Sequence, residues 1–432
     1  MNALHRALFA AALLSTAAFA HPPAQPLPPV PIGSPVPGLT AQQQALFAAG
    51  KAAYEKEFTV AEGLGPTFNA KACSTCHGFP VTGGSEGSTA NNVTHFMINN
   101  DGNWMPALEF GGPVIQRFDI RNEPGGASCT IAGETLPAYL PKLTTSQRHT
   151  PAVFGFGLLD AVTDEEILEW QGRKPWKDPS VIGVAHYGVE MESLVRLRAF
   201  TFDISRRQPA GAPRVGRFGW KAQTGTLFQF TSEPFNIELG VSTPFFPREN
   251  TPDGNPLPPG CQLAGTQPND GNSTNTLRLF HFQALLAPPA PKPPTPQTLY
   301  GKFMFFAAGC ADCHRPQLRT AKDYFMPLPD GTVQRVDALS NKLIFPYSDL
   351  LIHDMGPGLA DGRVMGAAGP RWWRTTPLWG TQHKSNFLHD GSAHSVHEAI
   401  ERHGGEAAAS VQKYDALAPA QRAALLTFVE SL

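Results

Sequence analysis

Two short runs stand out by their chemistry: Cys73-Ser74-Thr75-Cys76-His77 and Cys310-Ala311-Asp312-Cys313-His314. Each sets two thiols within one turn and an imidazole directly after the second. Thiols at this spacing add to the two vinyl groups of a haem, and the adjacent imidazole ligates the iron from the proximal side. Zinc sites and redox disulfides also use paired cysteines, but neither requires histidine next in line. The pattern therefore predicts two covalently bound haem c groups, one held by Cys73, Cys76 and His77, the other by Cys310, Cys313 and His314.

The sixth ligand decides what each iron does. A second strong ligand leaves only outer-sphere electron transfer, whereas an open position admits peroxide or oxygen. The chain has 14 His and 8 Met from which to choose. For the C-terminal haem the expected ligand is His403, on the helix that follows His389-Asp390-Gly391-Ser392, with His353 and Met355 as rivals. A weak internal repeat extends the comparison. Arg148–Gly155 matches Arg374–Gly380, and a helix over Asp164–Trp170 matches one over His397–His403. Trp170 then stands opposite His403 and cannot ligate, which leaves His95 and Met105 as candidates for the N-terminal haem.

The motifs need helices to position them. Apolar residues of Gln42–Phe58 fall on one face, predicting a helix before the first motif. Thr298–Ala308 runs as a helix straight into the second, and Pro419–Leu432 reads as a terminal helix. The run from Pro288 to Pro296 cannot donate backbone hydrogen bonds and reads as a stiff, extended linker. The expected fold is mainly α, with two cytochrome c-like domains over residues 41–287 and 298–432, the first enlarged by long loop insertions. Gly (41) and Pro (42) make up about a fifth of the chain, which fits long ordered loops rather than low complexity.

Residues 1–20 carry a weakly basic start, an apolar run and the small-residue site Ala18-Phe19-Ala20, the pattern of a secretory signal. Residues 21–40 form a proline-rich lead, expected to be extended and mobile. No later stretch is apolar enough to span a bilayer. The expected location is periplasmic or secreted. There the two remaining cysteines, Cys129 and Cys261, are free to pair; sequence alone does not bring them together. A net charge of −2 and a charged fraction of 16% give no basis for a nucleic-acid partner.

The chain resembles the di-haem oxidoreductases, also called thiol oxidoreductases, which are distant relatives of bacterial di-haem cytochrome c peroxidases and of the di-haem enzyme that matures the methylamine dehydrogenase cofactor. Cys73–His77, Phe154–Ala161, Gly216–Ala222, Tyr347–Gly356, Trp373–Gly380, Leu388–Gly391 and His403–Ala407 carry the resemblance. It implies an N-terminal haem that meets a small-molecule oxidant, peroxide or oxygen. It implies a C-terminal haem that takes electrons from a soluble redox protein. In the peroxidases the helix after a His-Asp-Gly turn supplies the sixth ligand of the C-terminal haem, and His403 holds that position here. The resemblance further implies that Trp220 relays electrons between the haems and that Glu238 acts as distal acid/base, with Gln229 upstream as helper and Glu233 as rival. Ile237 departs from the family's Asn-Pro-x-Glu pattern. A calcium ion between the domains is also within the family's range. Two other classes stay open: a pure electron carrier with both irons six-coordinate, and an oxygenase whose apolar pocket is lined by Phe228, Phe230, Phe235, Phe245 and Phe246.

Overall fold

Two threonines start the helices that lead into the motifs. Thr40 accepts a hydrogen bond from the Gln43 amide and receives the Gln43 side chain in return, closing a capping box. Thr295 caps in the same way through Thr298, with Pro296 at the first helical position, where its missing N–H costs nothing. The computed structural model describes residues 24–100, 103–106, 114–126, 128–131, 143–188, 202–203, 208–209, 214–252, 255–261 and 268–432. The expected signal, residues 1–20, lies outside the described residues.

In chain order the helices are α1 (Ala41–Glu55), α2 (Phe156–Asp160), α3 (Asp164–Leu168), α4 (Leu227–Ile237), α5 (Thr274–Leu285), α6 (Pro296–Ala307), α7 (Val396–Glu401), α8 (Ala408–Asp415) and α9 (Pro419–Val429). Helix outweighs strand, 32% against 14%, in line with the mainly α expectation. Strands form only two- and three-stranded sheets. The longest, Val93–Asn100, pairs antiparallel with Asn103–Pro106 on one side and Leu143–Arg148 on the other.

Two helix crossings place the motifs, and both use the same device. Helix α1 crosses α5, with Phe282 against Phe47 and Tyr54 (ring centroids 5.4 and 4.7 Å apart). Helix α6 crosses α9, with Phe305 and Phe428 5.5 Å apart. Each crossing is closed by a glycine where a side chain has no room. A Cβ on Gly50 would lie 2.4 Å from the Arg278 carbonyl oxygen, and one on Gly301 would lie 1.9 Å from that of Ala424.

The larger core gathers α1, α2, α4 and α5. It does not stop at the 288–297 linker, because Leu318, Met326, Val336, Leu339 and Ile344 pack into the same cluster as Phe47 and Phe282. A smaller core joins Met304, Phe305, Tyr347, Leu425 and Phe428 around the second motif. The linker is itself tied down: the Lys292 amide donates to the Ser431 carbonyl (2.7 Å), and the Gln382 side chain donates to that of Ala290 (2.7 Å).

Three expectations need correction. The proline-rich lead is anchored rather than mobile. Gln25–Pro26 pairs in parallel with Lys342–Leu343, and the Val36 amide donates to the Leu285 carbonyl, because extended proline-rich chain still offers carbonyls and a few amides to a sheet edge. Helix α1 ends at Glu55, so Phe58 reaches the core from an extended segment. Helix α7 ends at Glu401, so His403 lies just beyond it rather than on it.

Cys129 and Cys261 form a disulfide across 132 residues, with both side chains buried. Cross-linking so long a loop constrains the unfolded chain strongly. Replacing both with alanine is expected to cost about 2–5 kcal/mol. A denaturant titration checks this, and an unshifted midpoint would mean the bridge contributes nothing.

Candidate haem-binding sites

Each motif folds as a single tight turn: Cys73–Thr75 in the first and Cys310–Asp312 in the second. The His77 amide donates to the Cys73 carbonyl (3.0 Å), and the His314 amide to that of Cys310 (2.9 Å). The turn brings both sulfurs and the following imidazole to one cavity in each case. The C-terminal cavity measures ≈ 240 Å³. The N-terminal one measures ≈ 180 Å³.

The side chains fit a covalently held haem at both cavities. His77 Nδ1 lies 3.3 Å from the Gly84 carbonyl oxygen, and His314 Nδ1 lies 2.9 Å from that of Tyr347. A carbonyl only accepts, so Nδ1 carries the proton in both and Nε2 keeps its lone pair, the tautomer a metal ligand needs. Burial holds both imidazoles down to about 4, hence neutral. Burial also pushes the thiols of Cys73, Cys76 and Cys310 up to about 12. Such thiols stay protonated, the opposite of an activated redox pair. Arg374 and Lys384 line the C-terminal cavity, and neither pairs with a carboxylate among the described residues. Burial lowers them to about 10 and about 8, with mutual repulsion adding to the effect on Lys384. Haem propionates would supply the missing negative charge.

His403 lines the same cavity as His314, with Nδ1 held 2.6 Å from the Ala399 carbonyl oxygen and Nε2 left bare. Met355 lines it too. His353 is spent elsewhere: its Nδ1 meets Glu406 at 2.8 Å and its Nε2 meets Asp349 at 3.1 Å. Trp170 also departs from expectation. Its indole nitrogen donates to the Asp312 carbonyl (3.1 Å), so it packs on the second motif rather than the first and is no structural counterpart of His403.

Trp220 and the segment His149-Thr150-Pro151 line both cavities and form the wall between them. The indole N–H of Trp220 donates to the His149 carbonyl (3.0 Å), and the Arg374 amide donates to the Trp220 carbonyl (2.9 Å). Among the described residues Trp220 is the one tryptophan on both linings.

Glu238 caps the C-terminus of α4 and lines the N-terminal cavity. Its carbonyl accepts the amides of Asn69 and Ala70, and its carboxylate accepts the Asn69 side chain at 2.9 Å. Burial raises the carboxyl to about 7, partly offset by that hydrogen bond. Glu233 lines the same cavity and is also raised by burial. Gln229 is different. It lies in the first turn of α4, buried, and is not on the lining; Gln283 of α5 is. His95 lines the cavity with a buried Nδ1 that has no hydrogen-bond partner. Met105 falls in the strand Asn103–Pro106, with its side chain outside the described residues. Of the insertion phenylalanines, Phe228 and Phe245 are core, while Phe230 and Phe235 reach the cavity.

No cluster of three or more His, Cys, Asp or Glu fit for a metal ion occurs among the described residues. No helix among them is long and apolar enough to cross a membrane. Sequence reasoning missed His149, Arg374 and Lys384 as wall residues; the repeat containing the first two was the signal at hand.

No curated protein matches the chain. Among solved structures it is similar to the diheme peroxidase BthA of Burkholderia thailandensis (12% identity, TM-score 0.37, covering 96% of this chain and 92% of that one). It is also similar to a hydrazine synthase of Kuenenia stuttgartiensis (11%, 0.37, 94% and 95%) and to a MauG-like protein associated with microbial copper homeostasis (15%, 0.36, 96% and 94%). The family model described as "di-haem oxidoreductase, putative peroxidase" matches residues 133–432, well over half of the chain. This protein therefore belongs to the di-haem oxidoreductase family.

Proposed function

We propose that the protein is a periplasmic or secreted di-haem c-type peroxidase, taking electrons from a soluble redox protein and passing them to a peroxide. Cys73 and Cys76 hold the N-terminal haem and His77 ligates it. Cys310 and Cys313 hold the C-terminal haem, ligated by His314 and His403. The two cavities correspond to two cytochrome c-like units. The observation that carries this reading is Glu238, a half-buried carboxyl raised to about 7 that lines the cavity with Cys76 and His77.

The haems, when bound, supply the iron chemistry and store the electrons. Everything else falls to side chains. Reducing a peroxide breaks its O–O bond and consumes two electrons and two protons. Glu238 takes the proton from the near oxygen and returns it to the far one, which eases that cleavage. Asn69 fixes the carboxylate for the transfer. Trp220, on both linings, passes the electrons one at a time. Gln229 acts at most through α4, since Gln283 holds the place at the cavity wall.

Low-temperature EPR of the ferric protein, with haem quantified, tests the assignment. One high-spin and one low-spin signal in equal amounts is the expected result. Two low-spin signals, with the iron that stays ferric after one-electron reduction still low-spin, would instead identify an electron carrier. The bare Nδ1 of His95 favours that second reading, as it is able to close the N-terminal iron. At the C-terminal haem, His403→Met is expected to raise the reduction potential, as a Met/His pair does relative to two histidines. An unchanged potential and spectrum would remove His403 as ligand and leave Met355.

A further inference from the structure

A second tryptophan lies on the C-terminal side of the wall only. Trp373 lines the C-terminal cavity and is 7% exposed. Its indole N–H donates to the Leu359 carbonyl at 2.9 Å. Two cations stand over its ring. The Lys221 ammonium lies 4.0 Å from the Trp373 ring centroid, and the Arg148 guanidinium lies 4.8 Å from it. His389 stacks on the ring at 3.9 Å. Asp361 pairs with both cations; farther off, Asp390 attracts Arg148 and Arg363 repels Lys221. Lys221 is locked in place by the carbonyls of Gly369, Pro370 and Trp372. Among the described residues no cation lies over the ring of Trp220, although Arg148 lines the N-terminal cavity with it and the Arg374 guanidinium donates to the adjacent Gly219 carbonyl.

We infer that Lys221 and Arg148 keep Trp373 from being oxidised and thereby confine one-electron transfer across the wall to Trp220. A cation over an indole face is attracted to the neutral ring. Removing an electron from that ring turns the attraction into repulsion between like charges at about 4 Å in a poorly screened interior. Trp220 has no such penalty. Lys221 is thus a positioning residue for the electron, and Trp373 is a bystander despite its place on the lining. This rests on the reading of Trp220 as relay.

The test exposes the haem-loaded protein to hydrogen peroxide without a donor, so that oxidising equivalents stay on side chains and are trapped there by oxygen addition. Tandem mass spectrometry then locates the oxygen. The expected result is addition at Trp220 and none at Trp373 in the native chain and in K221R, which keeps the charge. In K221Q, addition at Trp373 rises on the order of tenfold or more. Unmodified Trp373 in folded K221Q overturns the inference, as does heavy modification of Trp373 in the native chain. If K221Q does not fold, W220F decides. Trp373 should stay unmodified there, and the reduced C-terminal haem should lose its fast spectral oxidation by peroxide; a Trp373 that takes over the relay overturns the inference. A native chain modified at neither tryptophan instead defeats the relay reading itself, and an unaltered haem oxidation rate in W220F does the same.

Discussion

Glu238→Gln lowers peroxide turnover by roughly 10²–10⁴-fold while both haem spectra stay as they are. Glutamine keeps the size and the hydrogen-bonding capacity toward Asn69 but cannot hold or return a proton. Loss of rate with intact spectra separates proton transfer from haem binding. The pH dependence follows from burial. An ordinary glutamate titrates near 4.3, but taking this one out of water penalises its charged form and raises it to about 7. The form that accepts a proton is the carboxylate, and its fraction grows as pH rises through the pKa. Turnover at low peroxide is therefore expected to climb through about pH 7 and level off above it. Asn69→Ala removes the hydrogen bond that favours the charged form, so the climb moves to higher pH. Unchanged turnover in Glu238→Gln would move attention to Glu233, which shares the cavity and is also raised by burial.

Removing both thiols of the second motif has the other large effect. Cys310→Ala with Cys313→Ala is expected to bring the haem content from two per chain to one and to leave the C-terminal part of the protein unfolded at ordinary temperature. The smaller core has few residues of its own, and α6 and α9 meet beside a void. At about 24 cal/mol per Å³ of cavity, ≈ 240 Å³ of empty space costs about 6 kcal/mol. That is as large as the whole stability of many domains, about 5–15 kcal/mol. A haem held there would be part of this core. Haem quantification and limited proteolysis of α6 and α9 check the expectation. A well-folded variant that still holds two haems would show that attachment at Cys310 and Cys313 is not what retains the second.

The helix leading into the second motif leaves Leu299, Tyr300, Phe303 and Phe306 exposed on its surface.

The haem motifs were legible because their chemistry is local. Two thiols and an imidazole within one turn make the same site wherever that turn is placed, so Cys73–His77 and Cys310–His314 were readable from spacing alone. The helices before them were legible from their apolar residues over Gln42–Phe58 and Thr298–Ala308, while the caps that start them, Thr40 with Gln43 and Thr295 with Thr298, came from the structure. Trp220 was singled out only through the family resemblance, and the rest of what lay between the cavities was not legible. Trp220, His149 and Arg374 come from distant parts of the chain, and their meeting depends on how the segments pack. The same holds for the divide at the proline-rich linker, which looked like a clean boundary until residues 318–344 were found in the larger core. It holds also for Trp170, which the repeat matched to His403 but which packs on the second motif. Local spacing pointed to where each haem would attach, while the carbonyls of Gly84 and Tyr347 set which imidazole nitrogen is left free. Only the tertiary structure decided what stands between the two sites, because burial and charge at that wall are sums over residues that share no sequence neighbourhood.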